Sequence, residues 1–344
     1  MTRLSVFGLL FTLLVSLGAV SLQRASSRAP GLAHRQACGT QPGAATSAYA
    51  YNWPIKPFDC QHPIRGAFGD PRTMALDQPF GVTAPADTGS YSFHSGVDIV
   101  AKPGTAVYPV VSGVVFRAGL HGIIVHTGDG RSFQYWHLLS NVRLGEQVDA
   151  ERTVLGWIEK PFDHVHLTEI DHHQVQNPLA PGHLEPYADH TTPHAIGLDF
   201  SDGSSPHLTQ GGLLEPTDEL AIEAVDQPAM PVPGPWAGLP QTPAVVEWRL
   251  RAAGQAWSDW NVAVDVRNTE PPKGQFWNVY TAGTYQNFPV FDHRLCQGVA
   301  GRYLFRVGLD PSLLQPGSYE LEARVADIRG NSSTTTWPIE IPGS

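Results

Sequence analysis

Fifteen histidines stand in this chain of 344 residues, and a few of them fall into spacings that chemistry can use. His94 and Asp98 lie in His94-Ser95-Gly96-Val97-Asp98, His137 closes Tyr135-Trp136-His137, and His164 and His166 flank Val165. Residues two apart in a strand share a face with side chains about 7 Å apart, so His164 and His166 point into one cleft. One can serve a metal while the other faces a substrate. His94 and Asp98 would be about 13 Å apart in a straight strand, but Gly96 lets the backbone bend and bring both to one ion. Two neutral imidazoles and one carboxylate leave a tetrahedral ion one open position, which is the pattern of catalytic sites; structural zinc sites are closed by four protein ligands.

The elements that must position these residues read as short strands. Ala106–Val111, Gly113–Phe116 and Gly122–His126 are β-rich, and Asp129-Gly130 between Gly122–His126 and Ser132–His137 signals a tight hairpin. His137 is therefore expected to end a central strand, with Tyr135 on its face either orienting it or filling the core. Beyond a Pro- and His-bearing joint at Pro186 to Pro193 the rhythm changes. Ala195–Phe200, Leu220–Val225, Ala244–Leu250, Trp260–Val266, Arg302–Val307 and Ser318–Ala326 interleave apolar and polar residues between Pro/Gly turns, which predicts an antiparallel sandwich. Tyr319–Ala323 resembles the penultimate strand of immunoglobulin-like and fibronectin-like modules, in fold only. The expected class is all-β: a β-rich region at 54–186 followed by an immunoglobulin-like sandwich at 187–344. Gly 34 and Pro 30, with hydrophobic residues at 42%, agree with loop-rich β structure rather than disorder or a helix bundle.

The formal charge of −10, the 16% of charged residues and the lack of a basic block exclude a phosphate-binding surface, so no nucleic-acid partner is expected. Residues 1–21 hold Met1-Thr2-Arg3 and the start of an uncharged run from Leu4 to Leu22. They read as a signal peptide cut after Ser21 or, because Arg24, Arg28 and Arg35 follow, as an N-terminal membrane anchor. Both place the remainder outside the cytosol: periplasmic, in the cell envelope or extracellular. Residues 22–53, small, polar and without period, read as a flexible tether. Of three cysteines, Cys38 and Cys60 are the expected disulfide, closing a loop of about 20 residues worth ~3 kcal/mol; Cys60 with Cys296, or three buried thiols, are the alternatives.

His-x-x-x-Asp, Tyr-x-His and His-x-His in that order resemble the lysostaphin-type (LytM-like) zinc metallopeptidases, which hydrolyse peptide bonds in bacterial peptidoglycan. Phe68-Gly69-Asp70-Pro71-Arg72 resembles the opening turn of that family, His94–Thr105 its first ligand block, and Gly113–Val115, Gly122–His126, Tyr135–Leu138, Gly145–Val148 and Leu155-Gly156 continue in register, from about Pro63 to Glu169. The resemblance implies an antiparallel β-sheet zinc peptidase domain at 54–186, Zn²⁺ on His94, Asp98 and His166, catalytic His137 and His164 free of metal, and peptidoglycan peptides as partners. Its departure is Glu159-Lys160-Pro161-Phe162-Asp163, where the family has small, Gly-rich residues; Pro161 and Phe162 stiffen and narrow that wall. The rival expectation is a catalytically silent cell-wall binding or regulatory protein of the same fold.

The remaining motifs have bland readings. Asp70 and Arg72 hold the opening turn. His172, His173, His183, His190 and His194 are solvated loop residues, and His126 is structural. Trp248, Trp257, Trp260 and Trp277 supply sandwich core, with a carbohydrate-stacking face as the alternative.

Overall fold

Strand β8 (Arg131–Ser140) and the turn before it show how this chain builds sheet. Asp129 accepts from the backbone N–H of Arg131 and closes the expected hairpin, after which Arg131, Phe133 and Tyr135 turn inward while Ser132, Gln134 and Trp136 turn outward. The computed structural model describes residues 49–73, 91–119, 121–201, 207–209, 212–272, 274–292 and 295–343. The expected signal peptide or anchor, and Cys38, lie outside them. Cys60 is disulfide-bonded.

The first sheet system contains β1 (Ile64–Gly66), β4 (Val97–Val100), β5 (Ala106–Val107), β6 (Gly113–Gly119), β7 (His121–Thr127), β8 (Arg131–Ser140), β9 (Gln147–Val148), β10 (Gly156–Ile158), β11 (His164–Asp171) and β12 (Gln174–Gln176), with β2 (Pro71–Arg72) and β3 (Ser92–Phe93) paired beside it. Its main path runs β1-β4-β11-β8-β7-β6-β9, all antiparallel. One row crosses five of these strands: Gly66 opposite Asp98, Asp98 opposite His166, His166 opposite Trp136 and Trp136 opposite Gly122. Directly opposed residues share a face, so this row sets what the site can contain.

Two further sheets follow. One is β14-β13-β16-β21, from β13 (His194–Ser201), β14 (His207–Thr209), β16 (Glu219–Val225) and β21 (Leu304–Arg306). The other is β15-β23-β22-β17-β18, from β15 (Gly212–Leu213), β17 (Val245–Ala252), β18 (Asn261–Asp265), β22 (Gly317–Ala326) and β23 (Ser332–Ile341). They face one another, β13 lying against β22 and β23. A hairpin of β19 (Phe288–Asp292) and β20 (Leu295–Val299) stands apart, and β15 with β23 is the one parallel pair among these strands. The chain is all-β as expected, with strands at all six predicted positions of the second region.

The buried side chains of all three sheets form one continuous apolar cluster. Polar contacts bind the later sheets beside β1: Gln241 Nε2 donates to the Ile64 carbonyl at 2.8 Å, the Thr242 N–H to Asp70 Oδ1 at 3.0 Å, and the Tyr280 hydroxyl to the Gly69 carbonyl at 2.9 Å. Gly69 has φ 85, and Val266 packs against it, so a Cβ there would meet both backbone strain and a neighbour. The tryptophans divide. Trp248 is buried and Trp277 packs on the core, but Trp257 and Trp260 stack over Arg249, Arg251 and Arg324 at 4.3–4.8 Å on β17 and β22 instead of entering it.

Candidate metal centre

Asp98 and His166 come together because β4 and β11 pair in a register that opposes them. His94 arrives from the short connection between β3 and β4, anchored where its N–H donates to the Asp70 carbonyl at 2.8 Å and its own carbonyl accepts from Gly69 at 2.9 Å. Gly96 is required, though for a reason other than bending. A Cβ on it would stand 2.2 Å from the Leu167 carbonyl oxygen, so β4 and β11 meet there only without a side chain. Gly66 serves likewise, since its Cβ would lie 2.7 Å from Asp98 Oδ2.

The three donor atoms form a tight triangle. His94 Nε2 is 2.8 Å from His166 Nδ1 and 3.1 Å from Asp98 Oδ1, and His166 Nδ1 is 3.1 Å from the same oxygen. Each ring has a partner for the nitrogen on its far side. His94 Nδ1 donates to the Ala67 carbonyl at 2.7 Å, and His166 Nε2 meets Thr168 Oγ1 at 2.8 Å. With Thr168 accepting, both inner nitrogens are bare lone pairs. Burial, then the charge of Arg72, pushes His94 down to about 3, so its ring is neutral at ordinary pH. Burial would raise Asp98, yet interactions with His94, His164 and His166 hold it well below the usual carboxylate range. With these tautomers, two ring nitrogens and a carboxylate oxygen converge on one point that a cation would complete. A triangle of this size is spanned by metal–ligand bonds of about 2.0–2.1 Å, and its N, N, O donor set suits a borderline ion such as zinc.

His164 shares the face of His166 as expected and is almost fully buried. Arg65 Nη2 donates to its Nε2 at 3.0 Å, which puts the ring proton on Nδ1, 3.3 Å from Asp163 Oδ1. Burial lowers its pKa. His137 reaches the same place by a route that alternation does not predict. β8 does not end at His137 but runs on to Ser140, and His137 is a bulge within it, between Trp136 opposite Gly122 and Leu138 opposite His121, with φ 70. The left-handed residue reverses the side chain. Tyr135 stays in the core, its hydroxyl accepting from the Val110 N–H at 2.9 Å, while the His137 ring lies 4.5 Å from that of His164 and stacks on Phe162 at 3.9 Å. Tyr135 therefore fills core and does not orient His137. Burial, then His164, pushes His137 down to about 3.

Asp70 and Arg72 divide their labour. Asp70 is buried and holds the turn, accepting from Ala67 and Thr242; burial raises its pKa to about 6. Arg72 reaches the centre, 3.4 Å from Asp98 Oδ2. Three neighbours of the site carry no mark in the sequence reading. Arg65 has no local signature. Thr168 could have been found as the next residue on the His164–His166 face. Trp236, from the 3₁₀ turn Gly234–Trp236, lies under the Arg65 guanidinium at 4.0 Å and donates to Asp163 Oδ2 at 2.8 Å. The wall at 159–163 is thus tied to the second region.

Elsewhere, His172, His173 and His190 are exposed, His194 is exposed but opens strand β13 instead of lying in a loop, and His183 is not a loop bystander: its Nδ1 bonds the fully buried Glu169 at 2.8 Å, beside Arg131 and the Tyr51 hydroxyl. His126 is exposed and stacked on Phe116. A second acidic group, Asp189, Asp226 and Asp327, brings three buried carboxylates within 4.8 Å of one another.

No protein-family model and no curated protein matches the chain. Among solved structures, it is similar to the SpoIIQ–SpoIIIAH pore-forming complex, at 21% identity over 39% of this chain and 90% of that one, with a TM-score of 0.29. A zinc-containing peptidase from Vibrio cholerae aligns at 18% identity over 37% of this chain and 39% of that one, with a TM-score of 0.29. The catalytic domain of the prophage-encoded M23 protein EnpA from Enterococcus faecalis aligns at 19% identity over 38% and 96%, with a TM-score of 0.25. Each likeness spans little more than a third of the chain.

Proposed function

We propose that this chain is an exported zinc-dependent endopeptidase that hydrolyses peptide bonds in bacterial peptidoglycan, with residues 54–186 as the peptidase domain and 187–344 as an immunoglobulin-like module. The observation that carries the reading is the triangle of His94 Nε2, Asp98 Oδ1 and His166 Nδ1, three metal-ligating atoms within 3.1 Å of one another. The sequence resemblance supports the same reading independently, because it selects the same three residues. Zinc held there supplies Lewis acidity that polarises a carbonyl and brings the pKa of water towards ~7.

The chain's own residues do the rest. Ala67 and Thr168 fix the two ring tautomers, and Arg72 sits against the outer oxygen of Asp98. His137 stands beside the triangle as a neutral base that can take a proton from water or return one to a leaving amine, and His164 does so when Arg65 Nη2 gives up its Nε2. Phe162, stacked on His137, and the Trp236–Asp163 contact form a wall that limits solvent on that side.

The test is zinc content by elemental analysis together with mass spectrometry of products from defined muropeptides. The expected result is one zinc per chain and zinc-dependent release of cleaved peptides, both lost in His166→Ala and Asp98→Ala. Hydrolysis undiminished in either variant would overturn the assignment. Zinc bound tightly with all muropeptides left intact would favour the silent binding protein instead.

A further inference from the structure

We infer that Arg65 makes this reaction centre selective for peptides that carry a free carboxylate beside the scissile bond. The inference deepens the peptidase reading and rests on it. Arg65 lies in β1, and its guanidinium sits over the junction of metal ligand and catalytic base, with Nη2 3.0 Å from His164 Nε2 and 3.8 Å from Asp98 Oδ2. A carbonyl poised for attack must lie within about 3–3.5 Å of its reacting partners. Arg65 is therefore within one residue's reach of the bond to be cut.

The guanidinium is held in place but not satisfied. Its side chain is 14% exposed, its guanidinium carbon lies 4.0 Å from the centre of the Trp236 ring, and its buried Nε has no hydrogen-bond partner. The nearest carboxylate to that nitrogen is Asp163 at 3.6 Å, and Asp163 is already engaged by Trp236 at Oδ2 and by His164 at Oδ1. The Nε edge is closed against Asp163, so the edge left to a substrate is the Nη pair, whose planar fork matches a carboxylate with two parallel bonds.

The charge balance points the same way. Arg65 and Arg72 face Asp98, Asp163 and Asp70, so a divalent ion at the triangle leaves the centre with an excess of positive charge. A neutral peptide amide cannot balance that excess; an anionic group on the substrate does. The carboxylate can be the C-terminal one of the peptide or a side chain flanking the cleaved bond. Both sources present the same two oxygens.

The experiment uses the full zinc-loaded chain and two pairs of matched acyl peptides. One pair differs only in a C-terminal carboxylate against carboxamide, the other only in a glutamate against glutamine next to the cleaved bond. In at least one pair the carboxylate peptide is expected to have kcat/KM at least about tenfold higher, about 1.4 kcal/mol, and Arg65→Gln is expected to abolish most of that ratio. The pair that responds identifies the source. A second readout needs no hydrolysis: by calorimetry the full zinc-loaded chain is expected to bind the preferred carboxylate peptide, made with an uncleavable reduced bond, more tightly than its amide. Equal kcat/KM within both pairs overturns the inference while leaving the peptidase intact, as does an equal loss on all peptides in Arg65→Gln, which would make the residue a general electrostatic or structural group. If no peptide is cleaved, the peptidase reading falls, and equal binding of the uncleavable carboxylate and amide peptides by the zinc-loaded chain still overturns the inference on its own.

Discussion

His166 and Thr168, two residues apart on one face of β11, are joined by a 2.8 Å contact between Nε2 and Oγ1. Because the outer nitrogen is occupied, the inner one turns its lone pair to Asp98 and His94. Thr168→Val keeps the branched shape but removes the oxygen, so the ring is free to flip its tautomer. Metal affinity is expected to fall about 10–100-fold, measured by competition with a chromophoric chelator, while the β-sheet circular dichroism is unchanged. Wild-type affinity in the valine variant would mean that the tautomer is set elsewhere.

The bulge at His137 separates two kinds of histidine. His166 is within the donor triangle and His137 is not, although both line the same face. His137→Ala is expected to leave bound zinc at one equivalent and to lower kcat by about 10²–10⁴-fold, the usual span for a positioned acid–base group. His166→Ala is expected to lose the metal as well. Elemental analysis beside steady-state kinetics checks both, and loss of zinc in His137→Ala would show that the bulge supports the ligands instead.

Local periodicity made half of this site readable. His164 and His166 share a face because alternation in a strand depends on nothing beyond the strand, and β16 and β22 begin and end within a residue of the runs read from the sequence. His137 shows where that logic stops. Period two places it with Tyr135 in the core, and only the bulge opposite His121 and Gly122 turns it outward. Asp98 reaches His166 through strand register, a long-range property that spacing alone does not fix. Arg65 and Trp236 meet through tertiary packing between distant segments, so neither carried a signal of its own.

Gly96→Ala tests the claim that close strand approach, more than a bend, makes the centre. A methyl group there would stand 2.2 Å from the Leu167 carbonyl oxygen and 2.9 Å from His166 Nε2. Backbone on the far side cannot rotate away as a flexible side chain would. The expected cost is about 1–3 kcal/mol of stability or more, as for other overpacked sites, with metal binding lost because β4 and β11 move apart at Asp98 and His166. Chemical denaturation and zinc stoichiometry measure the two effects. A variant of wild-type stability that still binds zinc would return Gly96 to the role of a simple hinge.

Asp226 accepts from the Gln227 N–H at 2.8 Å and faces Asp189 and Asp327; burial first, then the charges of those two, raises its pKa to about 8. An aspartate in the unfolded chain titrates near ~3.9. The folded state therefore holds a proton that the unfolded state has released at every pH between these values. Stability from this group is fully present below about pH 4 and is lost as pH rises towards about 8, by up to about 1.4 kcal/mol per pH unit within that window. Above it no further loss follows from Asp226. The amide of Asp226→Asn cannot ionise, so the variant is expected to unfold at a higher denaturant concentration than the natural chain at pH 8.5 and to show a much smaller decline from pH 5 to pH 8.5. Urea titrations at those two values decide it: equal declines in the two proteins would mean that Asp226 ionises alike in the folded and unfolded chain.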